Sequence, residues 1–182
     1  MSATKISPTP KQALVAKPGT TGIDPRGPRF SAAITAVLLL AVIGLSLGGP
    51  AGPAATIGER AGQPAFILLA SLAAIFAWGA VGGVSRHPYG WLFRTLVRPR
   101  LGPPTHLDDP KPPTFSQGIG LVVTLIGVVL HLAGVPFGLV IFAAAAFIAA
   151  FLNSVFDYCI GCQIYLLLVR TALIRVKADP RP

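Results

Sequence analysis

Cys159 and Cys162 are the two cysteines of the 182-residue chain, set in Asp157-Tyr158-Cys159-Ile160-Gly161-Cys162-Gln163. At i and i+3 two sulfurs can join with modest adjustment, and the spacing recurs where thiols and disulfides exchange. A helix beginning at Cys162 would favour its thiolate, because the first turn offers unpaired N–H groups. The chemistry expected of the pair is cycling between dithiol and disulfide, or carriage of sulfane sulfur as a persulfide. The competing reading is packing, since cysteine behaves as a small apolar side chain. Two thiols are also half of a structural zinc set, which His87 and His106 could complete. No second paired motif accompanies them, so no metal is expected. Covalent haem needs His after the second cysteine, where Gln163 stands, so no cofactor is expected either. Asp157 is the candidate base. In a continuous helix it lies about 200° around from Cys159, so only a break between them brings the two together. Otherwise Asp157 is a helix-end charge at a lipid interface.

The elements that must position these residues are apolar. The chain is 53% hydrophobic and 12% charged, against roughly 25% charged in soluble domains. A span needs about 20 mostly apolar residues. Four runs are expected to cross a membrane: Phe30 to Leu47, Ala65 to Val84, Ile119 to Ala133 and Phe137 to Phe156. Backbone groups in hydrocarbon must bond internally, so the runs are helices. The fold class is therefore all-α, a four-helix integral membrane bundle. The apolar stretch continues to Val169, too long for one span and too short for two. A short apolar helix, interfacial or re-entrant, is expected over residues 158–169, with the break at the cysteines.

Charge sets the orientation. Lys5, Lys11, Lys17, Arg26 and Arg29 precede the first run. Glu59 and Arg60 cancel in the first loop, and the turn after the third run is uncharged. Arg86, Arg94, Arg98, Arg100 and Lys111 fill the middle loop, residues 85–117, and Arg170, Arg175, Lys177 and Arg181 end the chain. High and low alternate as the positive-inside rule requires, placing both termini in the cytoplasm of a plasma (inner) membrane protein. The net charge of +9 then faces anionic lipid headgroups, at Arg94, Arg98 and Arg100 above all, rather than nucleic acid, for which no module is present. The cysteines fall on the cytoplasmic side, where dithiols are kept reduced, so a transient disulfide is expected rather than a permanent one.

The remaining segments follow. Residues 1–29, rich in Pro, Gly and Thr, are expected to be disordered, without a signal peptide, and 171–182 form a cytoplasmic tail. Tyr89 to Arg98 would place Tyr89, Leu92, Phe93, Leu96 and Val97 on one helical face. It reads as a helix in the headgroup plane or one packed on the bundle's end. The proline-dense stretch that follows, to Pro113, reads as extended spacer. Trp91 and Tyr89 suit an aromatic belt, Trp78 core or lipid, and His131 an interface. Asn153, one turn before Asp157, suits interhelical hydrogen bonding. No ionisable residue sits mid-span, which argues against an ion-coupled transporter.

Three marks carry a resemblance: Asp24-Pro25-Arg26-Gly27-Pro28-Arg29-Phe30, His87-Pro88-Tyr89-Gly90 with Arg98-Pro99-Arg100-Leu101-Gly102-Pro103-Pro104, and Cys159-Ile160-Gly161-Cys162-Gln163-Ile164-Tyr165. From about Asp24 to Arg170 the chain resembles a bacterial membrane family known as domain of unknown function 4395, and its Ala, Gly and Pro usage resembles that of an actinobacterium. The resemblance implies no activity. In layout alone the chain is similar to vitamin K epoxide reductases, whose C-x-x-C faces the outer compartment. Two functions follow. One is a thiol-redox or sulfane-sulfur relay with a soluble thioredoxin-like or rhodanese-like partner. The other is a non-catalytic membrane subunit or scaffold whose cysteines only pack.

Overall fold

A computed structural model describes residues 14–17, 19–48 and 56–171. In chain order its helices are α1 (Arg26–Leu47), α2 (Ile57–Ala61), α3 (Pro64–Gly82), α4 (Pro88–Leu92), α5 (Lys111–Leu132), α6 (Gly138–Phe156) and α7 (Ile160–Arg170). Of these α1, α3, α5 and α6 are long and apolar enough to cross a membrane, and α7 is the short apolar helix after the last of them. The four long helices close a ring in which α1 packs on α6, α6 on α5, α5 on α3 and α3 on α1.

The core of this ring is Leu39 and Val42 of α1, Ala65, Leu69 and Leu72 of α3, and Leu139, Ala143 and Ala146 of α6. Thr124 of α5 is fully buried, and its hydroxyl donates to the Gly120 carbonyl one turn back at 2.8 Å. Small residues let backbones approach where lipid supplies no hydrophobic drive. A methyl on Gly120 would meet the Phe76 ring, and one on Gly138 would lie 2.7 Å from Leu130 Cβ.

Two helices begin earlier than hydropathy suggests. α1 starts at Arg26 rather than Phe30, so Arg26 and Arg29 lie in its first turns. α5 starts at Lys111 rather than Ile119. Pro112 and Pro113 fall in its first turn, where a missing N–H costs nothing, so they start a helix instead of extending the spacer. α4 runs on through a π turn, Phe93–Val97, and a 3-10 turn, Arg98–Arg100. Phe93 is buried against Gly27 and Phe30 of α1, ring centroids 5.8 Å apart, so this segment packs on the bundle's end. Leu96 leaves the expected face and is 52% exposed. The wider winding of the π turn rotates the position three after Phe93 outward.

Disorder over residues 1–29 is corrected where the structure describes them. The Ala16 and Ile23 N–H groups donate to the Leu107 and Asp108 carbonyls at 2.8 and 2.9 Å. The Asp108 and Asp109 N–H groups donate back to Ile23 and Leu14 at 2.8 Å each. The N-terminal segment is thus laced onto the α4–α5 connection. Residues 1–13 and the tail beyond Thr171 lie outside the described residues.

The bundle has two unlike rims. The far rim joins α2 to the α5–α6 turn. Arg60 Nη1 donates to the Leu132 carbonyl at 2.8 Å, and His131 stacks on Phe66 at 5.6 Å. The near rim carries the N-terminal segment, α4 with its continuation, the start of α5 and α7, and most of the described charges.

Candidate functional site

The three sequence marks meet at the near rim. Asp24 is buried and gripped by Arg26, whose Nε and Nη2 donate to its two oxygens at 2.9 and 2.8 Å. That fork holds the Asp24 carboxyl below its ordinary range. The Arg26 N–H donates to Asp24 Oδ1 at 3.0 Å, so the same carboxylate also serves one of the orphan donors of α1. Arg26 also donates to the Gly102 carbonyl at 2.9 Å, tying in the proline-dense loop. Arg29 reaches across to α6, donating to the Ser154 carbonyl at 3.2 Å and lying 3.9 Å from Asp157 Oδ1.

Asp157 ends α6. Its φ of 56° is left-handed, a conformation aspartate tolerates. The Tyr158 N–H then reaches back to the Leu152 carbonyl at 3.2 Å, six residues away, which closes the helix and turns the chain. The break expected between Asp157 and Cys159 is therefore present. Asp157 stands two residues before Cys159 and is exposed, with its carboxylate toward Arg29. Asn153 is half-buried on the preceding turn.

Cys159 and Cys162 are joined as a disulfide, with Cα atoms 5.2 Å apart. Cys159, not Cys162, is the cap of α7: its sulfur accepts the Cys162 N–H at 3.2 Å. The helix begins one residue after Cys159, so the Cys162 N–H of its first turn serves that sulfur rather than the one inside the turn. The two cysteines also differ in access. Cys159 is half-buried, whereas Cys162 is 4% exposed.

Ser116, one turn into α5, is the residue that the sequence did not single out. Its hydroxyl lies 3.5 Å from Cys159 Sγ. A methyl on Gly161 would sit 2.7 Å from Ser116 Cβ and 2.8 Å from Ser116 Cα. Gly161 is thus where the backbones of α7 and α5 touch. The Tyr165 ring lies tilted against Phe115, centroids 5.6 Å apart, and Leu166 is buried, so α7 is seated on the first half of α5. The glycine inside the cysteine pair was the one signal pointing to this contact.

The histidines are elsewhere. His87 caps α4, its Nδ1 accepting the Tyr89 N–H at 3.3 Å, and it packs beside Gly79 and Gln117. Burial pushes its imidazole below the ordinary value of 6.5. His106 lies 3.6 Å from Asp108, whose carboxyl is pushed up chiefly by burial. Among the described residues no three His, Cys, Asp or Glu side chains converge as a metal site, and the zinc alternative does not fit. Trp78 and Trp91 are each 60% exposed and face outward, while Tyr89 lies edge-on to His87 at 5.1 Å.

The arrangement sets the half-buried Cys159 at the start of α7 and the buried Cys162 within its first turn, the two sulfurs joined to each other and lying over Ser116 of α5. No curated protein and no solved structure matches the chain. A family model described as a domain of unknown function, DUF4395, matches residues 23–170, from the laced N-terminal segment to the last residue of α7. The chain belongs to that family.

Proposed function

We propose that Cys159 and Cys162 form a reversible thiol–disulfide couple on the cytoplasmic rim of a plasma-membrane protein, exchanging with a soluble thioredoxin-like partner. The observation that supports this is the asymmetry of the pair. Cys159 caps α7 and is partly accessible, while Cys162 is buried behind it. The Cys162 N–H and the positive end of α7 stabilise a thiolate on Cys159. That thiolate attacks one sulfur of the partner's disulfide, whose S–S bond breaks and whose second sulfur leaves as thiolate. Cys162, losing its proton to solvent, then attacks Cys159 and expels the partner's remaining thiolate. Two electrons pass from this chain to the partner, which takes up two protons as its dithiol. With a rhodanese-like persulfide donor, Cys159 instead accepts the outer sulfur and the donor leaves as thiol. Asp157 serves this reading as the residue that breaks the helix ahead of the pair. Arg94, Arg98 and Arg100, all exposed, face anionic headgroups on the same side.

The test uses purified protein in glutathione buffers, with alkylation and mass measurement. The expected result is two alkylations in reducing buffer and none in oxidising buffer, reversibly. Cys162→Ser should accumulate one glutathione on Cys159, and Cys159→Ser should accumulate far less on the buried Cys162. Equal adducts on the two variants, or a pair that no buffer converts, would overturn the proposal.

A further inference from the structure

Beside the thiol site an open groove of about 780 Å³ runs between the end of α3 and the first half of α5. Ala80, Val84, Phe115, Ile119 and Val122 make its walls apolar, and two cations, Arg86 and Lys111, stand at its mouth. Both cations are exposed. Asp109, the acid next in sequence, accepts the Lys111 backbone N–H at 2.9 Å and does not line the groove.

The α5 side of the groove is one helical stripe: Lys111, Thr114 and Phe115, Gly118 and Ile119, then Val122. From Lys111 to Val122 the rise is about 16 Å, close to half of a hydrocarbon core of roughly 30 Å. Below it, Leu125, Ile126, Val129 and Leu130 continue the stripe as a purely apolar furrow. A methyl on Gly118 would meet nothing within 4 Å, so that glycine opens the groove rather than seating another helix.

We infer that this groove binds an anionic glycerophospholipid, its phosphate between Arg86 and Lys111 and one acyl chain along α5. Charge at the rim over an apolar slot one leaflet deep is the pattern of a lipid, with the headgroup at the interface and the chain in the core. A second copy related by a two-fold axis would bring the same two cations together at one rim, which they oppose. The site is distinct from the arginines of the α4 segment and does not depend on the cysteines.

Native mass spectrometry of the detergent-purified chain tests this, titrating phosphatidylglycerol against phosphatidylcholine of identical acyl chains. Phosphatidylglycerol should bind one molecule tightly and phosphatidylcholine weakly. The double variant Arg86→Gln/Lys111→Gln should weaken phosphatidylglycerol about thirtyfold, each cation near an anionic headgroup being worth roughly fivefold. Gly118→Leu fills open space and should weaken both lipids, while Arg170→Gln, an exposed cation outside the groove, should leave the tight site unchanged. Equal binding of the two lipids, no loss in the Arg86/Lys111 variant, or a dimer abolished by Gly118→Leu would each overturn the inference.

Discussion

Gly161→Ala asks whether α7 is held to α5 by backbone contact. The added methyl would lie 2.7 Å from Ser116 Cβ and 2.8 Å from Ser116 Cα, with the hydroxyl nearer still. Carbon atoms pack comfortably at about 3.5–4.0 Å, so α7 must retreat by about 1 Å. The obstacle includes backbone, which no rotamer change relieves. Overpacking of this kind costs about 1–3 kcal/mol. Because α7 rests on α5 far more than on α6, the cost falls on the docking of α7 rather than on the four-helix ring. At about 2 kcal/mol the undocked population rises roughly thirtyfold. The assay is the maleimide labelling rate of Cys162 in a Cys159→Ser background, where Cys162 is the single cysteine. Cys162 is 4% exposed, so labelling reports undocking. Gly161→Ala should raise that rate by one to two orders of magnitude. Adding Ser116→Ala removes only the hydroxyl and should restore little. Gly44→Ala in α1, where a methyl meets nothing within 4 Å, should leave the rate unchanged. Labelling of Gly161→Ala at the wild-type rate would refute the contact argument.

Two further predictions concern the rims. Burial holds His87 below its ordinary 6.5, so as pH falls below that value the unfolded chain binds a proton that the folded chain refuses. Stability that is fully present above pH 6.5 is therefore lost as pH falls toward the folded pKa. Melting in detergent from about pH 7.5 to 5 should show this slope, and His87→Gln should flatten it. At the far rim the Thr56 hydroxyl accepts the Glu59 N–H at 3.2 Å, and Glu59 accepts the Thr56 N–H at 3.0 Å, a reciprocal cap on α2. Thr56→Ala should cost about 1 kcal/mol locally. Hydrogen exchange over Ile57–Ala61 would quicken roughly fivefold while α1 and α6 stay unchanged.

What was legible in the sequence was what hydropathy and charge encode. The four long helices, the short apolar helix after them and the break before Cys159 all follow from the length of uncharged runs. What was missed depends on contacts between distant residues. Lys111 to Pro113 read as spacer because proline density outweighs the helix-starting role of Pro112 and Pro113. The N-terminal segment read as disordered because its composition is poor in apolar residues, yet four backbone hydrogen bonds to residues 107–109 fix it. Leu96 was set on the wrong face because a π turn changes the period within one short helix. That Cys159 rather than Cys162 caps α7 is not legible, because a paired motif does not say which cysteine stands outside the first turn. Ser116 carries no motif. Only the presence of glycine at position 161 hinted that something had to come close.

The packing order of the ring bears on how the chain is made. The main partner of α1 is α6, which ends roughly 110 residues after α1 does. At about 5–20 residues per second of synthesis, α1 waits some 5–20 s for it. Until then Leu39 and Val42, fully buried in the finished bundle, meet only lipid and α3. The lacing of Ile23 to Asp108 likewise cannot form until the connection beyond α4 has emerged. Closure of the bundle is therefore a late event, completed when the last long helix arrives beside the first.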